Sequence, residues 1–311
     1  MIKFLPYLIT ALLFLTACSN LSEEDNSKLN IYTTVFPLTS FVEEIGGDTV
    51  EVESIYPAGA DMHSYEPTQK DMMEYADGNI FMMTSNDLDP IAKNITDTIN
   101  EDTNVIETTA NINEDDLIST SHDDHDHEHD DDHNHDHGSG DPHIWLNPNL
   151  AIIMAESVKD ALIDAQPEHS DMYEENFNNL RTDLEDIDKQ LTEITEDPVY
   201  TDVYISHESL GYLAEQYGFH QVGINGLSNQ EPSQKELTEI IDQIQAQNIP
   251  YILYEPNVTS TVTDVIRDET NTEPLYFNNL ETLTDNDPED ATYQSMMAKN
   301  IETLDQALND K

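Results

Sequence analysis

Residues 171–194, "DMYEENFNNLRTDLEDIDKQLTEI", carry Tyr173, Phe177, Leu180, Leu184, Ile187, Leu191 and Ile194 at alternating spacings of four and three, with acids and amides between them. That spacing puts every apolar residue on one face of a single long helix. Such a stripe serves either as a coiled-coil seam in a dimer or as the buried face of a helix lying across its own molecule. Only three heptads are present, so the intramolecular arrangement is the expectation, and the flanking segments decide the fold.

On the N-terminal side, strand and helix patterns alternate. "LNIYTTVF" reads as a strand from Leu29, "PLTSFVEEIGG" as a helix opened by proline and closed by glycine, and "TVEVESIY" as a strand again. "PTQKDMMEYAD" predicts a helix starting at its proline, "GNIFMMTS" an apolar strand, and "LDPIAKNI" and "NVIETT" extend the series. Asn147-Pro148 then opens a helix whose buried face is Ile152, Ile153, Val158 and Leu162. On the C-terminal side, "VYISH" is a strand and "SLGYLAEQYGF" a helix ending at Gly218. Ser233 and Glu236 form a capping box ahead of Leu237, Ile240, Ile241 and Ile244. "YILYEP" and "PLYFNNL" are short strands, and Tyr293, Met296, Met297, Ile301, Leu304 and Leu308 mark a closing helix. Alternating units of this kind imply an α/β fold of two lobes, each a mostly parallel sheet, joined by one long helix. The expected limits are residues 29–169 for the first lobe, 170–196 for the linking helix and 197–311 for the second lobe, in a chain of 311 residues.

The formal charge of -54 comes from 65 acidic against 11 basic residues. So negative a surface disfavours nucleic acid and anionic membrane as partners and favours cations. The N-terminus, "MIKFLPYLITALLFLTACSN", has Lys3, an apolar stretch from Phe4 to Leu15 and small residues before a cysteine, the pattern of a secretory signal over residues 1–17. Leu15-Thr16-Ala17-Cys18 resembles a bacterial lipobox, which makes Cys18 the expected site of lipidation and residues 18–28 a polar tether on the outer face of the cell membrane. Cys18 is the sole cysteine, so neither an intramolecular disulfide nor a thiolate metal site is available.

Between the lobe's last strand and Asn147 lies "SHDDHDHEHDDDHNHDHGSG", residues 121–140, within a His/Asp-rich loop spanning 118–140. Its His122, His125, His127, His129, His133, His135 and His137 are seven of the chain's twelve histidines. A run with no apolar residue and a block of like charge is flexible by composition. Imidazole suits zinc, copper and nickel, so metal capture is the expected use. A flexible ligand set binds loosely, whereas a specific site needs fixed geometry. That directs attention to the histidines outside the run. His169 and His220 are expected to be surface or packing residues. His63 in "PAGADMHSYEPT", His143 in "GDPHIWLNP" and His207 at the end of "VYISH" all fall in loops or at strand carboxyl ends, where open α/β sheets place ligands. Three imidazoles want a fourth ligand, commonly a carboxylate. Glu281, just past "PLYF", is the candidate, with Asp285 and Asp287 as competitors.

"GADMHSYEPTQKDM", "DPHIWLNP", "SHESLGYLAEQYGF", "LSNQEPSQKELTEII" and "YQSMMAKNIETLDQAL" together resemble the solute-binding lipoproteins of bacterial ABC importers for zinc and manganese, specifically the ZnuA/AdcA-type zinc receptors, from about Leu29 to the C-terminus. The resemblance implies two pseudo-symmetric lobes, a rigid linking helix and metal in the cleft between the lobes, with His63, His143 and His207 as ligands and Glu281 at the acidic fourth position. Manganese members of the family usually carry glutamate where this chain has His207, and aspartate as the fourth ligand. The segment "IFMMTSNDLDP" departs from the family, which tends to show an Asn-Gly turn and a Glu-Trp pair there. The resemblance also implies a receptor without catalysis that carries Zn(II) as its transported ligand, acts with an ABC permease and its ATPase as a monomer, and is assisted by the histidine run. Other expectations are a manganese or broader divalent-metal receptor, and a surface metal buffer or adhesin working through the run. A zinc hydrolase is disfavoured because His207-Glu208 lacks the second histidine of H-E-x-x-H.

Overall fold

The computed structural model describes residues 28–99, 103–118, 140–258 and 260–310. Cys18, the signal segment and the seven histidines of the run lie outside the described residues.

The first lobe runs β1 (Leu29–Thr33), α1 (Phe36–Gly46), β2 (Val50–Ser54), α2 (Gln69–Tyr75), β3 (Ile80–Met83), α3 (Pro90–Thr96) and β4 (Asn104–Glu107), followed by α4 (Pro148–Ala165). After α5 (Ser170–Thr195) come β5 (Asp202–His207), α6 (Gly211–Tyr217), β6 (His220–Asn225), α7 (Gln234–Gln247), β7 (Tyr251–Tyr254), α8 (Thr261–Thr270), β8 (Glu273–Tyr276) and α9 (Tyr293–Asn309). The sheets have orders β2-β1-β3-β4 and β6-β5-β7-β8, and every pairing is parallel. The two orders are the same topology repeated, so the carboxyl ends of β1 and β5 hold equivalent places in their lobes. Strand β3, "IFMM", is buried at all its residues, as a central parallel strand covered by helices on both faces requires.

The stripe on α5 faces inward. Tyr173, Phe177, Leu180, Leu184, Ile187 and Leu191 are buried, and the helix packs on α1, α4 and α9. The intramolecular expectation therefore holds, and one hydrophobic core runs continuously from the first sheet through α5 into the second lobe. A smaller cluster around Tyr204, Ile244, Ile252 and Ile266 closes the outer part of the second lobe. No described helix is long and apolar enough to cross a membrane.

Three local features differ from the sequence expectation. Helix α2 starts at Gln69 and not at Pro67, because Thr68 forms a reciprocal capping box with Asp71 that fixes the first turn. Strand β6 was not anticipated, since Gly223 interrupts its alternation and the segment begins with polar residues. Helix α8 was also not anticipated; its threonines and valines favour strand by propensity, but the Ser260 cap and a buried face of Thr263 and Ile266 make it helical.

Hydrogen bonds join the lobes around their carboxyl ends. Phe36 N–H donates to the Glu281 carbonyl at 3.0 Å, and Gly59 N–H to the Leu283 carbonyl at 2.7 Å. The Trp145 indole donates to the Asn279 carbonyl at 2.7 Å, and Tyr293 donates to the Trp145 carbonyl at 2.7 Å. The buried members of this set, at Phe36, Trp145 and Tyr293, resist opening, because each broken pair leaves a desolvated group.

Candidate metal centre

The carboxyl ends of the strands bring three imidazoles and one carboxylate to a point. Each of His63, His143, His207 and Glu281 offers a ligand atom, and these atoms all lie within 4.8 Å of one another. Among the described residues this is the one group of histidines, cysteines and acids so arranged. Ring centroids are 4.9 Å apart for His143 and His207, 5.5 Å for His63 and His207, and 5.9 Å for His63 and His143. His169 lies 6.0 Å from the Tyr173 ring and His220 pairs with Asp202 at the surface, both away from the group. Of the competing acids, Asp287 accepts from the N–H and hydroxyl of Thr284 at 2.8 Å each, which commits it to its own turn, and Asp285 is exposed.

Glu281 reaches the point through a turn held in every direction. Leu280 adopts φ 63, a left-handed conformation that costs a branched residue of order ~1 kcal/mol. The strain is held by Asn278 Oδ1, which accepts Leu280 N–H at 2.8 Å, and by Asn279 Oδ1, which accepts Glu281 N–H at 3.1 Å. Asn300 in turn bonds both backbone groups of Asn278. The result is that Leu280 is buried with its apolar neighbours while Glu281 is turned toward the histidines. Its Oε1 lies 3.2 Å from His143 Nε2 and 3.6 Å from His63 Nε2.

The imidazoles are held unequally. His143 is fixed at two points: Asp141 Oδ1 takes its backbone N–H at 2.9 Å and contacts Nδ1 at 2.8 Å. His207 Nδ1 lies 3.1 Å from Glu255 Oε1, and its Nε2 lies 3.1 Å from the Leu227 carbonyl. A carboxylate only accepts, so in both rings Nδ1 carries a hydrogen, while each Nε2 also faces an acceptor, Glu281 for His143 and the Leu227 carbonyl for His207, and must give up any proton there to take a metal. His63 is placed by its main chain, whose N–H donates to Asp61 Oδ1 at 2.9 Å, and Asp61 Oδ2 also accepts from Asn229 of the second lobe at 3.2 Å. No described carboxylate takes the second nitrogen of the His63 ring, and its buried Nε2 has no hydrogen-bond partner among the described residues. Its side chain is 16% exposed, whereas those of His143, His207 and Glu281 are 0% exposed. A cavity of about 180 Å³ lined by Met62, His63, Leu88, Pro142 and Leu227 reaches the group from that side.

The charges follow from these contacts. Burial lowers the His143 pKa, but Asp141 and Glu281 outweigh it and push it up to about 10. Burial likewise opposes the His207 proton, yet Glu255 raises that group above its ordinary value. For His63 burial wins over the attraction of Glu281, and the pKa is lowered. Burial would raise the Glu255 carboxyl, but His207 and Ser209 hold it below the usual range. The cluster therefore carries excess negative charge wherever protons leave its histidines, which is the electrostatic requirement for taking a divalent cation.

Sequence reasoning did not single out Asp141 or Glu255. Asp141 had a signal, standing two residues before His143 in the "DPH" motif. Glu255 had none beyond being an acid at the end of an apolar strand.

The profile of the family described as zinc-uptake complex component A, periplasmic (ZnuA), matches residues 31–307. The chain is 30% identical over 297 residues to the zinc-binding lipoprotein AdcA of Streptococcus pneumoniae (strain ATCC BAA-255 / R6), covering 94% of this chain and 58% of AdcA. It thus spans little more than half the length of that relative. It is 29% identical over 304 residues to the high-affinity zinc uptake system protein ZnuA of Bacillus subtilis (strain 168), covering 95% of this chain and 94% of that protein. The crystal structure of the Zn(II)-bound ZnuA-like domain of Streptococcus pneumoniae AdcA superposes with a TM-score of 0.74 at 29% identity, over 91% of this chain and all of that one. Topology, convergent histidines and sequence agree, and the chain belongs to the ZnuA family of zinc-uptake components.

Proposed function

We propose that the chain is an extracytoplasmic receptor that captures Zn(II) with high affinity and delivers it to the permease of an ABC importer powered by a separate ATPase. The observation that carries this reading is the donor set: three imidazoles and one carboxylate converge in a buried interlobe site. Nitrogen-rich sets suit zinc, while manganese prefers oxygen. Relatives whose names state zinc binding or zinc uptake support the same choice.

In this reading His63, His143, His207 and Glu281 are the metal ligands. The chain divides into a signal segment (1–17), a tether lipidated at Cys18 (18–28), a first lobe (29–169), a linking helix (170–196) and a second lobe (197–311). The histidines of the 118–140 loop act as accessory capture groups that raise the local zinc concentration. The receptor works as a monomer. Hydrolysis fits the site poorly, since a catalytic zinc keeps an open position for water and substrate, whereas here Glu281 closes the set and three of the four side chains are fully buried.

Competition of the mature protein with a zinc chelator tests the reading. One tight zinc site that is lost in both Glu281→Ala and His207→Ala is expected. Unchanged tight binding in both variants would place the zinc elsewhere and remove the claim.

A further inference from the structure

Strands β5 and β7 pair in parallel with Ile205 opposite Leu253. Two residues further on, at the end of β5 and just past the end of β7, His207 lies beside Glu255. Glu255 is 2% exposed, and a carboxylate in such a place is held by hydrogen bonds or not at all. Its Oε1 accepts from Ser209 Oγ at 2.7 Å and contacts His207 Nδ1 at 3.1 Å. Its Oε2 accepts from Ser206 Oγ at 2.9 Å, and Ser206 Oγ in turn accepts the Glu255 N–H at 3.1 Å. Both oxygens are thus fixed by residues flanking His207, and the carboxylate has no freedom to turn away from the ring.

We propose that Glu255 is a positioning and selectivity residue of the metal centre: it fixes the His207 ring through Nδ1, leaves Nε2, which lies 3.1 Å from the Leu227 carbonyl, as the nitrogen for the ion, and makes it a stronger donor. The inference rests on the zinc-receptor reading given above. An anionic acceptor on Nδ1–H increases electron density at Nε2, and a metal that bonds strongly to imidazole gains more from this than one that prefers oxygen. Zinc should therefore depend on Glu255 more than manganese does. Asp141 plays the equivalent part for His143 at 2.8 Å, so each lobe supplies one histidine locked by its own buried acid. A carboxylate serving packing alone would leave the ratio of zinc to manganese affinity unchanged when its charge is removed.

The test uses mature full-length protein titrated separately with Zn(II) and Mn(II) against chelators, together with the visible spectrum of the Co(II) form. Glu255→Gln keeps one oxygen for Nδ1–H and Ser209, sets an amide NH2 against Ser206 in place of the second oxygen, and removes the charge. Zinc should weaken about 10- to 100-fold, manganese by a smaller factor, and the Co(II) bands should shift. Ser209→Ala retains the charge, loses one of the bonds that orient it, and should weaken zinc by about fivefold, the worth of one hydrogen bond. This second variant carries the test if the first does not fold. Zinc affinity within about twofold of wild type in the folded variants, or equal losses for zinc and manganese, overturns the proposal. Wild-type protein that takes no zinc, or His207→Ala protein that binds as wild type does, instead overturns the receptor reading on which it rests.

Discussion

Gly211, the first residue of α6, faces the Asp141 carboxylate so closely that a β-carbon there would collide with Asp141 Oδ2. A residue of the second lobe thereby sets the position of the acid that orients His143 in the first. In an ordinary helix, alanine in place of glycine stabilises by about 1 kcal/mol. Here Gly211→Ala is expected to lower the thermal midpoint of the metal-free protein and to weaken zinc about tenfold by displacing Asp141. Calorimetric melting and chelator competition measure the two effects, and a raised midpoint with unchanged zinc binding would show that the seam has room.

Zinc must compete with protons. His143 holds its proton up to about pH 10, because Asp141 and Glu281 outweigh burial, and a metal ion on Nε2 requires that proton to leave. The zinc association constant is therefore expected to rise about tenfold per pH unit from this group alone between pH ~7 and ~9. Asp141→Asn removes the main attraction and should flatten the slope. The stability of the metal-free fold is expected to follow the opposite trend. The folded pKa lies above the ordinary histidine value of ~6.5, so this contribution to stability is full below that value and is lost as pH rises through about 10. Zinc titrations and denaturant unfolding across the same pH series check both signs.

The ligands should not be equivalent. His143 and His207 are fully buried and each is locked by a carboxylate, whereas His63 is partly exposed and lacks one among the described residues. His63→Ala is expected to retain a weakened but measurable zinc site with faster release, while His143→Ala and His207→Ala lose far more affinity. Stopped-flow transfer to a chelator separates the cases, and equal release rates in all three variants would contradict the order.

Leu184 is fully buried on α5 among residues of both lobes' common core. Leu184→Ala should cost about 2–5 kcal/mol of stability with little change in zinc affinity at temperatures where the protein stays folded. Urea unfolding gives the first quantity and chelator competition the second.

The long helix, the first sheet, most of the second and the three histidines were legible because each rests on local signals: the four-three spacing from Tyr173 to Ile194, apolar strands, and histidines in connections or at a strand end. Glu281 was harder, since Asp285 and Asp287 stand close by and only the turn built by Asn278, Asn279 and the left-handed Leu280 decides which acid points inward. Glu255 was not legible at all, because its role depends on the β5–β7 register and on two serine hydroxyls brought to it by folding. Strand β6 and helix α8 escaped because tertiary burial overrides weak or contrary propensity in both.

In the proposed reading the buried set, and not the histidine run, is the specific zinc site. Mature protein lacking residues 122–137, titrated with zinc and separately with manganese against a competing chelator, tests it most directly. One tight zinc site that disappears in His207→Ala, with manganese weak, is expected. Loose, unselective binding by the shortened protein would contradict it and make the run itself the functional element.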